Sequence, residues 1–148
     1  MDRPFVAENA QESERLRCLV GRLTDEELNY TMENGWTIAV ILAHLAFWDQ
    51  RSLALMQKWK LSGVEQSPID IDVTNDSLLP LWLALHPRSA ANLAVASAEA
   101  IDSEIEECST ELISAVQNLG ERFRLYRSEH RKQHLDEIEE FLKNRCES

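Results

Sequence analysis

Two histidines, His130 and His134, stand four residues apart in a stretch from about 121 to 145 that contains no Gly or Pro. The stretch is rich in Arg, Lys, Glu and Leu, so it is expected to be a helix. On a helix, residues four apart share one face. Two imidazoles one turn apart can close on one metal ion if a third ligand comes from elsewhere. The plain alternative is a pair of exposed histidines with no role. Their neighbours argue against it, because Phe123, Tyr126, Ile138 and Phe141 fall on or beside the same face and make it the buried one. A third histidine, His44, sits inside the run from Trp36 to Trp48, which is apolar almost all round. A buried neutral imidazole must find partners for both ring nitrogens or it costs about 1–3 kcal/mol. Taken alone, His44 reads as a core histidine bonded to a carbonyl or a carboxylate. Taken with His130 and His134, it completes a three-histidine metal site with at least one position open for water or substrate.

Other metal chemistries do not fit. A metalloprotease helix carries Glu directly after its first His, and this chain has Arg131 there. A carboxylate-bridged di-iron bundle needs paired Glu-x-x-His, but Ile41, Arg127 and Arg131 precede the three histidines by three residues. There is no Gly-rich phosphate loop and no G-x-S-x-G. Glu137, three residues after His134, can serve as an acceptor for an imidazole N–H or as a general base, or it can be one more surface carboxylate of an acidic run. Trp48, one turn after His44, and Tyr126, one turn before His130, are candidate walls of a substrate pocket or simply core aromatics. His86, ahead of Pro87 at a helix break, reads as exposed rather than as a fourth ligand.

The elements that must position these residues follow from local signals. Residues 5–23 read as a first helix with a stripe of Leu16, Leu19, Val20 and Leu23. Thr24 offers an N-cap for a short turn with acids behind it, and Thr37 caps a second long helix running to about Leu61. A polar connection over 62–74 leads to a third helical region starting at Asn75 or Asp76. His86-Pro87 interrupts that region before an Ala-rich continuation to Glu107. Ser109-Thr110 caps another short turn before the last helix. Extended, the connection of about 13 residues reaches roughly 40 Å, about the length of a 25-residue helix, so the second and third long helices can run parallel. The fold expected is all-α, a four-helix bundle in a single domain over 1–148.

Composition narrows the setting. The chain has 148 residues, enough for a core, with 28% charged and 44% hydrophobic residues. Its formal net charge of −11 repels a phosphate backbone. The basic clusters Arg122-Phe123-Arg124 and Arg131-Lys132 are interleaved with Glu and read as solvated helix surface, so no nucleic-acid partner is expected. The apolar run of the second helix is shorter than the ~18 residues a membrane span needs, so no membrane partner is expected either. Three scattered cysteines and an N-terminus lacking a basic-then-apolar pattern fit a reducing, cytoplasmic setting.

Trp36-Thr37, the run Leu42 to Asp49, Asp70 to Asn75 with the Ala-rich helix after it, and Glu129-His130 through His134-Leu135 to Ile138 together resemble the DinB/YfiT-like superfamily. The resemblance covers nearly the whole chain. It implies an up-down-down-up bundle, a homodimer, and one divalent metal ion (zinc, nickel, manganese or iron) on His44, His130 and His134. Relatives in that superfamily include S-transferases that use low-molecular-weight thiols such as bacillithiol or mycothiol, and a mycothiol-dependent maleylpyruvate isomerase. The expectation is therefore a metal-dependent thiol S-transferase acting on small electrophiles. The alternatives are a metal-dependent hydrolase of a small molecule, or a non-catalytic bundle in which the metal is a staple. Because free imidazoles titrate near 6.5, the metal-dependent stability is expected to fade between about pH 7.5 and 5.5.

Overall fold

The computed structural model describes residues 2–147, and among these every regular element is helical apart from an isolated bridge between Thr31 and Thr37. Four long helices, α1 (Pro4–Arg22), α3 (Ile38–Ser62), α5 (Pro87–Glu107) and α7 (Arg127–Glu147), are joined through three shorter ones. These are α2 (Asp25–Leu28), α4 (Ile71–Ala84) and α6 (Thr110–Gln117), with a 3-10 turn at Arg122–Arg124. The caps are local chemistry. Thr24 and Glu27 form a reciprocal capping box, and the Thr37 and Ser109 hydroxyls accept from the third residue of their helices. Gly63, at φ 91, ends α3 in a conformation that disfavours any side chain.

Two starts differ from expectation. The third region begins at Ile71 rather than Asn75 or Asp76, because the Asp70 carboxylate caps it by accepting from the Val73 amide at 3.2 Å. The last helix begins at Arg127 rather than near 121, because residues 122–124 wind into the tighter turn first. Phe123 is therefore off the helix and 45% exposed instead of lying on the buried stripe.

Helix α3 is the centre. It is long and apolar enough to cross a membrane by length and composition, but 72% of its most apolar stretch is buried inside the bundle. It packs most closely on α5, whose Ala91, Ala94 and Ala98 let the backbones approach. Gln50 bonds Ser97, and Lys60 pairs with Glu104, so the contacts of α3 and α5 ascend together. Helix α4 packs chiefly on α3; it buries Trp82 and leaves Ile71, Val73, Leu81 and Leu83 exposed.

Arg131 and Arg124 are buried, not solvated, while Lys132 and Arg122 do face water. The Arg131 guanidinium, 0% exposed, forms a bidentate pair with Asp102 of α5 at 2.8 and 2.9 Å. It also reaches Asp49 of α3 at 3.3 Å and the Asn9 carbonyl of α1 at 3.1 Å. Arg127 donates to the other Asp49 oxygen at 2.9 Å. Burial works against the charge on Arg131, but Asp49 and Asp102 more than offset it and hold the guanidinium above its ordinary range. Removing one member of such a buried set leaves an uncompensated ion. Asp49→Ala is expected to lower stability by about 3–5 kcal/mol in urea denaturation. Asp136→Ala, which removes only surface pairs with Arg15 and Lys132, should leave the midpoint almost unmoved. Equal effects would contradict this assignment.

Candidate metal centre

Helices α3 and α7 bring His44, His130 and His134 together. One ligand atom from each lies within 4.8 Å of the others. Nε2 of His44 and Nε2 of His130 are 3.0 Å apart, and the three ring centroids are separated by 4.8 to 4.9 Å. Imidazole nitrogens around a tetrahedral zinc ion lie about 3.3 Å apart, so small ring rotations bring these three to a common ion. The donor set fits a divalent metal.

The electrostatics fit as well, because a ligand imidazole must be neutral to bind. Burial lowers the His44 pKa to about 4, helped by the charge of His134 and opposed by Asn75. Burial lowers the His130 pKa to about 2, with His134, His44, Arg127 and Arg131 adding repulsion. Both rings therefore present lone pairs at neutral pH. Protons compete for them only near pH 4 and below, under the window that a free imidazole would give.

Glu137 lies where the helix spacing puts it, with Oε2 3.0 Å from Nδ1 of His134. A carboxylate there accepts the Nδ1 proton and leaves Nε2 of His134 as the free lone pair. Trp48 does not stack on the histidines. Its ring meets Phe47, and its N–H donates to Asn75 Oδ1 at 2.9 Å. Tyr126 lies before α7 starts and turns away, packing edge-on against Phe5 and under the Arg122 guanidinium. His86 is exposed and caps α5, its Nδ1 accepting from the Arg88 amide at 3.2 Å.

The aromatic wall consists instead of Trp36 and Trp82, whose rings meet the His44 ring at 5.3 and 5.4 Å and also meet each other. Trp36 lies just ahead of the Thr37 cap, outside α3, so helical spacing from His44 does not place it. Trp82 and Asn75 arrive from α4, and nothing local in the sequence says which helix α4 will cover. On the side of Glu137 a cleft of about 520 Å3 opens, lined also by Met32, Asn34, Phe141 and Arg145.

A model of the DinB superfamily matches residues 9–141, a span that holds all three histidines, Glu137 and the buried ion pairs. No curated protein and no solved structure matches the chain. With most of its length, including the histidine triad and its supporting network, inside that match, the chain belongs to the DinB superfamily.

Proposed function

We propose that this chain is a divalent-metal-dependent enzyme, a thiol S-transferase acting on small electrophiles. The observation that carries the reading is the convergence of three imidazoles, two of them kept neutral by burial before any ion arrives. An ion held by His44, His130 and His134 supplies Lewis acidity, which lets a thiol present itself as a thiolate at neutral pH. The chain does the rest. Glu137 holds the proton on Nδ1 of His134, and Trp36 and Trp82 keep water from the His44 side. The cleft beside Glu137 has the volume of a small-molecule site. A purely stapling role for the metal has less to explain, because Asp49 already ties α3 to α7 through Arg127 and Arg131 within about two turns of His44.

Elemental analysis of the purified protein is expected to find about one divalent ion per chain. His44→Ala or His134→Ala should remove it. Chelation should lower the melting temperature while the far-UV helical signal persists. Stoichiometric metal in the double variant would refute the site.

Activity is tested by conjugating a cellular low-molecular-weight thiol to a model electrophile. The metal-loaded chain should accelerate the reaction, and His130→Ala should abolish the acceleration. Turnover of small esters or amides without conjugation would replace the transferase with a hydrolase.

The pH dependence of the metal-free protein follows from the depressed histidines. Below 6.5 the unfolded chain takes up protons that folded His44 refuses until about pH 4, so stability falls with pH across that window. The melting temperature of the chelated protein should drop between pH 6.5 and 4.5, and His44→Leu should reduce the slope while leaving the part that His130 contributes. A pH-independent melting temperature would mean that His44 is not held neutral.

A further inference from the structure

Helix α7 starts with no short polar side chain at its head. Its first residue is Arg127, and Tyr126 before it carries a ring that packs on Phe5. Glu129, in the first turn, is turned outward to Arg122. The first amides of a helix have no partner inside it, and one left unmet in a dry core is costly. His130 is the fourth residue of α7, so it rides on this first turn. A common ion allows little play there, since Nε2 of His130 already lies 3.0 Å from Nε2 of His44.

The missing cap comes from α1. Asn9 is 1% exposed inside that helix, and both ends of its carboxamide turn to the segment that begins α7. Its Oδ1 accepts from the Ser128 amide at 2.8 Å, and its Nδ2 donates to the Leu125 carbonyl at 2.8 Å. That amide can only donate and that carbonyl can only accept, so the orientation of the carboxamide is settled. The two bonds grip the chain on both sides of the helix start. A third contact, from Arg131 Nη1 to the Asn9 carbonyl at 3.1 Å, ties the next turn to the same residue.

We propose that Asn9 is the positioning residue of His130: as a cap supplied by α1, it fixes where α7 begins to wind, and so where His130 meets His44 and His134. Arg131 sets the height of α7 in the bundle, whereas Asn9 sets the winding of its first turn. Helix α1 carries no histidine, yet it takes part in the centre through this one side chain. What the cap serves rests on the metal reading above, but the cap itself does not.

Asn9→Ala tests this, because alanine suits the interior of α1 and removes only the far contacts. Competition with a chromophoric chelator reads zinc affinity, and urea denaturation reads stability. Amide hydrogen exchange reads α7 in the zinc-free chain. Ile105→Ala is the control, since Ile105 is fully buried beside the Lys60–Glu104 pair, toward the far end of α3 from His44. A destabilised chain that remains folded keeps its ligand affinity. Ile105→Ala should therefore lower the urea midpoint and leave zinc binding unchanged. Asn9→Ala should weaken zinc binding about tenfold, and it should speed exchange over 128–131 while the amides of α3 stay protected. Asn9→Asp, which keeps the acceptor for Ser128, should bind zinc more tightly than Asn9→Ala. Wild-type zinc affinity in Asn9→Ala overturns the proposal, as does equal weakening by Ile105→Ala, no recovery in Asn9→Asp, or unaltered exchange in the first turn of α7. If Asn9→Ala does not fold, Asn9→Ser, whose hydroxyl is a bond short of both partners, takes its place. A wild-type chain that binds no zinc, with exchange over 128–131 faster in Asn9→Ala, would sink the metal reading and leave the cap standing.

Discussion

The guanidinium of Arg131 is the point on which the molecule closes. It sits one residue after His130, has no exposed surface, and touches α1, α3 and α5 at once. An ion in that position is tolerable only because two carboxylates and a carbonyl meet it with good geometry. Each of those partners belongs to a different helix, so satisfying Arg131 fixes the axial position of α7 against the other three. The two histidines of α7 are thereby delivered opposite His44. The same feature that keeps a charge inside the core sets the register of the site.

Much of the site could be read locally. A four-residue spacing, a histidine in an apolar run and a Glu three residues on are all statements about one helix at a time, and the fold honours them. The same holds for the Thr24, Thr37 and Ser109 caps, where a side chain and an amide three residues away settle the matter. The misreadings share the opposite property. Arg131 looked like surface, because the Asp49 carboxylate that meets it lies 82 residues away in the chain. Trp82 and Asn75 reach His44 from a helix whose packing partner no local pattern names. Tyr126 was placed by extending a helix backward through a segment that winds as a tighter turn.

Burial does two things to the histidines. It removes competition from protons near neutral pH at His44 and His130, and it leaves Nδ1 of His44 without a hydrogen-bond partner. Neutrality alone is not enough for a ligand, since a neutral ring can carry its proton on the wrong nitrogen. The supporting groups therefore matter as much as the rings: Glu137 comes from α7 itself, whereas Trp82 comes from α4, which carries none of the three histidines.

Helix α4 is the lightest-held of the elements around His44. It packs chiefly on α3, buries a single residue outright and carries Pro80 inside it, which forfeits one backbone hydrogen bond. Yet it brings both Trp82 and Asn75 to the site. The free energy needed to lift α4 is thus separable from that of unfolding the bundle, and the shelter of His44 is governed by the smaller of the two.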